Sequence, residues 1–185
     1  RIGMPMNRSI TQPAMTRTEA RERFGLDPDR PTLLVSGGSQ GARAINQALS
    51  GALPAILDAG IQVLHVLGAK NFSDADVVVE AASGARYVPV AYVDAMIEAY
   101  LTADLMIGRA GAGTVMETAV LGLPVVFIPL PWGNGEQARN AAGLVADGAG
   151  ILLPEAELSA DKLSGLVIPT ITDQEKLARM SELAR

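Results

Sequence analysis

A doubly wound α/β domain with a mostly parallel, Rossmann-like sheet is the fold this sequence predicts. Three observations lead there. Short apolar segments recur along the chain, most of them continuous rather than alternating, as expected for strands covered on both faces. Helical segments separate them, and that alternation marks βαβ units. Two strand–helix junctions are glycine-rich, in "VSGGSQGARAINQ" (35–47) and "GRAGAGTVMETAVLGLP" (108–124).

Taken in order, residues 1–30 carry Pro5, Pro13 and Pro28, with Pro31 just beyond, and read as a linker and entry segment with one short helix around "TRTEARERFG". The chain begins at Arg1 within "RIGMPM" and is expected to be a fragment from the C-terminal part of something longer. The Rossmann-like unit is placed at 31–168 and a C-terminal helix at 169–185. Strands are expected at "TLLVS" (32–36), "QVLHVL" (62–67), "RYVPV" (86–90), "DLMIG" (104–108), "PVVFIP" (124–129) and "GILL" (150–153).

Between them, "ARAINQALSGALPAILDAG" has helical spacing and ends at Gly60. "DAMIEAYLTA" opens on Asp94 as an N-cap, "TVMETAVLG" closes on Gly122, and "EQARNAAGLVADG" closes on Gly148 with Asn134 as a candidate cap. The final stretch reads as two helices broken around Pro169, and "DAD" at 74–76 is placed in a helix.

Composition narrows the function. Hydrophobic residues make up 49% and aromatics only 4%, so the core is built from Ala, Val, Leu and Ile. Fifteen basic against twenty acidic residues, with no basic cluster, argue against sequence-independent nucleic-acid binding. The absence of cysteine excludes disulfides and thiolate metal sites, and the single histidine, His65, excludes a multi-histidine metal site. No cofactor or metal is expected. A lone strand histidine reads as structural. No signal peptide is visible, and no apolar run reaches the roughly 18–20 residues that cross a bilayer.

The glycine turns point to phosphate. A helix N-terminus offers unpaired N–H groups and a partial positive charge, so it holds a phosphate without a basic side chain. Gly37, Gly38 and Gly41 would bring the backbone close, and Ser39 would offer a hydroxyl. A P-loop fails because no lysine follows Gly41. A dinucleotide fingerprint fits poorly, since its first glycine is Ser36 and the second strand ends "LHVLGAK" without a carboxylate. A nucleoside diphosphate across the switch point of the sheet survives. In the second turn, Glu117 is placed in the first turn of its helix, where it would accept hydrogen bonds from ribose hydroxyls or merely favour the helix dipole. In "PLPWGNGEQARNA" (129–141), Glu136 and Gln137 open a helix as sugar-binding residues or as ordinary capping; Trp132 is undecided.

Together, "GGSQGA", "GRAGAGTVMETAVLGLP" and "PLPWGNGEQARNA", in this order, resemble the bacterial UDP-N-acetylglucosamine transferases of peptidoglycan synthesis (the MurG family) from about Gly3 to the C-terminus. That resemblance implies the C-terminal, donor-binding half of a two-domain GT-B enzyme. UDP-N-acetylglucosamine would be the donor, and a lipid-linked muramyl-pentapeptide would be bound through the other half. It implies that Ser39 contacts donor phosphate and that the Val93 backbone reads the uracil edge. Ala112, Gly113, Thr114, Val115, Met116 and Glu117 would line the nucleotide, with Glu117 on ribose. Gln137 and Glu136 would reach the sugar.

The resemblance implies inverting transfer, with acceptor site and general base in the absent half, and hence no catalytic residue here and no transfer by this chain alone. It also implies a place at the inner face of the cell membrane. Two departures stand out. Asn7 holds the position where the family has Arg, followed by Arg8, which either substitutes for it or leaves a weaker contact. The family's "SGA" is Ala110-Gly111-Ala112. Rival readings are another GT-B glycolipid transferase, a UDP-N-acetylglucosamine 2-epimerase, a non-catalytic nucleotide-sugar module and a dehydrogenase.

Overall fold

The computed structural model describes residues 8–38 and 42–185. Seven strands form one sheet in the order β3-β4-β2-β1-β5-β6-β7. These are β1 (Thr32–Ser36), β2 (Gln62–Val66), β3 (Val79–Glu80), β4 (Arg86–Val90), β5 (Leu105–Gly108), β6 (Val125–Phe127) and β7 (Gly150–Leu152). All pairs are parallel except β3 with β4. The chain thus builds the sheet on one side of β1, with β3 and β4 as an antiparallel pair at its edge, and then, from β5, on the other. The two directions part between β1 and β5, where Ser36 lies opposite Gly108. That parting is the switch point of a doubly wound fold.

Among the described residues, eight α-helices flank the sheet: α1 (Arg8–Thr11), α2 (Arg17–Arg23), α3 (Arg43–Asp58), α4 (Met96–Thr102), α5 (Ala112–Leu121), α6 (Glu136–Ala146), α7 (Ala160–Ile171) and α8 (Gln174–Ala184). Because alternate residues of a strand face opposite ways, Leu33 and Val35 enter one core with Ile45, Leu49, Leu163 and Val167, while Leu34 enters the other with Ile97, Tyr100, Met106 and Phe127. Both layers are apolar, which is why β1 reads as a continuous apolar run.

Three helix boundaries differ from the sequence reading. Pro169 does not break its helix; it lies inside α7, and the break falls at Thr172 and Asp173. Burial of Leu163, Val167 and Ile171 holds α7 together across the proline, against the roughly 3 kcal/mol that proline costs in an isolated helix. Gly51 on α3 makes that packing close, since a Cβ there would meet the Ala160 Cβ at 2.7 Å. Asp94 caps nothing: Ala95 is the N-cap of α4, and Gly135 rather than Asn134 is that of α6. Residues 74–76 lie outside any helix, in a turn where Asp76 accepts the Ser73 backbone N–H.

The base of the sheet is tied by charge. Asp104, just before β5, accepts hydrogen bonds from Arg17, from buried Arg21 and from the Thr32 backbone N–H. Arg21 also donates to the Thr102 and Pro28 carbonyls. This fastens α2 beneath the starting ends of β1 and β5.

Candidate functional site

At the opposite, carboxyl edge, the chain leaves β1 through Gly37 and Gly38. A Cβ on Gly37 would sit 1.8 Å from that of Ala42, so no other residue allows this turn. Gly38 has φ +68°, in the left-handed region that favours glycine. Ser39, with Gln40 and Gly41, lies outside the described residues, as does Asn7. Across the switch point, β5 leads through Arg109, Ala110 and Gly111 into α5. Added Cβ atoms at Gly111 and Gly113 would meet nothing within 4 Å, so this side of the crevice is open.

The helices that start at this edge share a property invisible in any single motif. The N-caps of α3, α4, α5 and α6 are Ala42, Ala95, Gly111 and Gly135, and none makes a side-chain cap hydrogen bond. On α2, α7 and α8 the caps are filled: Thr16, Ser159 and Asp173 each accept a backbone N–H of the first turn. Each helix begins with N–H groups lacking an intrahelical partner. At the crevice no side chain among the described residues caps them, and α3 and α5 flank the switch point. An anion there gains about 0.3–2 kcal/mol from each terminus.

Side chains complete the arrangement. Ala112 through Glu117 form the first two turns of α5, so Glu117 lies in the second turn rather than the first. A carboxylate one turn in is too far along to act as a dipole partner and instead needs a contact of its own. It has one: the Tyr100 hydroxyl donates to Glu117 Oε2 at 2.9 Å. Tyr100 is 5% exposed, and burial, then the Glu117 charge, pushes its phenol well above the ordinary value.

Val93 buries its side chain in the same cluster as Tyr100, and no described residue hydrogen-bonds to its backbone. Arg8 is exposed at the start of α1, a helix that packs on α5. Glu136 is exposed at the start of α6.

Gln137 is fixed by two backbone donors. The N–H groups of Ala110 and Leu130 both donate to its Oε1, at 3.1 and 3.0 Å. An amide whose oxygen takes two N–H groups must present its NH₂ on the other side. Asn140, one turn on, donates to the Ala110 carbonyl at 3.0 Å. Both polar groups of the Ala110 peptide are therefore staked by α6. Buried Arg109 donates to the Ile128 and Pro129 carbonyls and pairs with Glu155. Sequence reasoning missed Asn140 and Arg109. The available signal was the i, i+3 spacing of Gln137 and Asn140, which puts both on one helix face.

His65 stands apart. Its ring is 2% exposed, with Nδ1 at 2.8 Å from the Tyr87 hydroxyl and Nε2 at 2.9 Å from Asn46 Oδ1. Asn46 Oδ1 can only accept, so Nε2 carries the proton and Nδ1 accepts from Tyr87. Burial lowers its pKa to about 4.

The doubly wound sheet, parted at the switch point between β1 and β5, has the Rossmann-like architecture of the C-terminal half of a GT-B protein. A profile of the glycosyltransferase family 28 C-terminal domain matches residues 32–184, and the chain belongs to that family. Among curated relatives, it is 50% identical over 185 residues to a Nocardioides protein named UDP-N-acetylglucosamine--N-acetylmuramyl-(pentapeptide) pyrophosphoryl-undecaprenol N-acetylglucosamine transferase, covering 99% of this chain and 50% of that protein. A Cutibacterium acnes protein of the same name is 48% identical over 192 residues, covering 100% of this chain and 51% of its own length. The chain thus spans about half the length of the curated relatives it matches. Among solved structures, Acinetobacter baumannii MurG superposes with a TM-score of 0.73 at 29% identity, over 100% of this chain and 53% of that one.

Proposed function

We propose that this chain is the donor-binding half of an inverting glycosyltransferase that moves N-acetylglucosamine from UDP onto an undecaprenyl-linked N-acetylmuramyl-pentapeptide in peptidoglycan synthesis. The observation that carries the reading is the crevice between β1 and β5, where α3 and α5 present uncapped N-termini beside Glu117 and Gln137. Relatives with this name at 48–50% identity support the particular donor and acceptor.

In this reading the diphosphate lies over the N-termini of α3 and α5, with Ser39 on its oxygens. The uracil lies against the Val93 backbone, and the ribose hydroxyls donate to Glu117. Ala112 to Met116 form the wall of the nucleotide site, and Asn7 or Arg8 approaches the donor from the entry segment. The outward NH₂ of Gln137, with Glu136, meets the sugar.

The acceptor hydroxyl, deprotonated by a general base of the other half, attacks the anomeric carbon as the bond to UDP breaks. Negative charge then builds on the departing diphosphate, and fixed N–H dipoles that need no reorganisation stabilise it. No helix among the described residues is long and apolar enough to cross a membrane. The whole enzyme works at the inner face of the cell membrane, where its lipid-linked acceptor lies.

Calorimetric titration of the full-length protein with UDP, UDP-N-acetylglucosamine, UDP-glucose and NAD tests the proposal. Preference for uridine compounds, with the acetylated sugar at least as tight as glucose, is expected, and EDTA is expected to leave it unchanged. Binding of NAD in place of UDP overturns the reading.

A further inference from the structure

We propose that Tyr100 is a positioning residue for Glu117, and that through it α4 sets how strictly the site demands a ribose rather than a deoxyribose. The inference rests on the donor-site reading above and concerns a residue that belongs to none of the glycine-turn motifs. Tyr100 has one hydroxyl proton. The carboxylate of Glu117 accepts it at Oε2, at 2.9 Å. That bond ties α4 to α5.

Thr114 and Glu117 are three residues apart and so share one face of α5. Tyr100, packed in the core with Val93, Ile97 and Ala110, gives that face an immobile contact. A glutamate on an exposed helix face samples many rotamers, and holding one of them against a ligand costs side-chain entropy. Here the cost is met on folding, because a buried phenol holds one oxygen. An ionised carboxylate has about four lone-pair sites. Tyr100 takes one on Oε2, and no described residue bonds Oε1. The remaining sites are left at a set angle for a pair of vicinal hydroxyls, an arrangement that a deoxyribose satisfies only in part.

The test is titration of the full-length protein with UDP and with 2′-deoxy-UDP, for the wild type, Tyr100→Phe and Glu117→Gln. Phenylalanine keeps the buried ring and removes only the hydroxyl. Wild type is expected to prefer UDP by about tenfold or more. Glu117→Gln should erase most of that preference. Tyr100→Phe should lose roughly threefold to tenfold in UDP affinity and less for the deoxy compound, so that the preference shrinks.

A packing role alone would weaken both ligands by one factor and leave their ratio untouched. That result, or no change for either ligand, overturns the positioning role while the collapse in Glu117→Gln still upholds the donor site. A wild type that fails to bind UDP, or binds both nucleotides equally with Glu117→Gln unchanged, overturns the donor-site reading and the role of Tyr100 with it.

Discussion

His65 shows how a single side chain can be necessary without belonging to the site. Its ring has both nitrogens partnered and no exposed edge, so protonation would break the acceptor bond from Tyr87 and place a charge in the core. Burial is the dominant cause of its lowered pKa, about 4 against an unfolded value of 6.5. The unfolded chain therefore binds the proton first as pH falls. The stability His65 contributes is complete above pH 6.5 and is lost between there and pH 4, by about 3 kcal/mol. Urea unfolding of wild type and His65→Gln across this range should give curves whose difference changes only inside that window. A constant difference would refute the neutral, buried state. Arg109 is necessary in another way. Arg109→Met removes the partner of Glu155 and the donor to two carbonyls of the 128–129 segment, and should cost about 3 kcal/mol in a melt.

At the scale of helices, a cap and a bound anion would use the same N–H groups and so compete for them. Gly111 has φ −62° and ψ 148°, an ordinary N-cap conformation, and open space where a side chain would go. Aspartate there should cap α5 and stabilise the fold by a few tenths of a kcal/mol. The same carboxylate would occupy the place of a phosphate, and UDP affinity should fall by about tenfold or more. A Gly111→Asp protein that melts higher and binds UDP as well as wild type would show that these N–H groups do not serve the ligand. In contrast, Ser159→Ala and Asp173→Ala should each cost about 1 kcal/mol without touching affinity, because α7 starts beside Gly51, two turns into α3, and α8 starts near Asp104 and Pro124 at the base of the sheet.

The helices themselves were legible in the sequence, since Gly60, Gly122 and Gly148 end three of them with positive φ. Their starts were not. Capping signs such as Asp94 and Asn134 are local preferences, and the chain path overrides them, with Ala95 and Gly135 at the cap positions instead. Pro169 misled for a related reason: tertiary burial of α7 outweighs an intrinsic propensity. Motif residues on glycine turns could be found by spacing. Tyr100 and Asn140 could not be linked to them, because their partners lie 17 and 30 residues away.

Across the whole molecule, the sheet separates two kinds of edge. β1 and β5 both run from the Asp104 cluster to the crevice, Thr32 and Leu105 at one end, Ser36 and Gly108 at the other. Asp104→Asn tests whether the two ends are independent. Asparagine keeps an oxygen for the Thr32 N–H but removes the charge that holds Arg17 and Arg21. Arg21 is buried, so its guanidinium would be left without a counter-ion, whereas Arg17 is half exposed and loses little. The expected cost is about 2–3 kcal/mol in urea unfolding, less than for a fully buried pair because Asp104 retains some exposure. UDP affinity should stay within about twofold, because mutations at well-separated sites with no shared partner act independently. Strands with both faces buried and parallel neighbours on each side form a stiff spacer, and a lost anchor at the base should loosen α2 rather than tilt β1 against β5. Should Asp104→Asn weaken UDP as strongly as it weakens the fold, the β1–β5 junction would have to move as a unit, and the crevice would depend on the charge cluster beneath it.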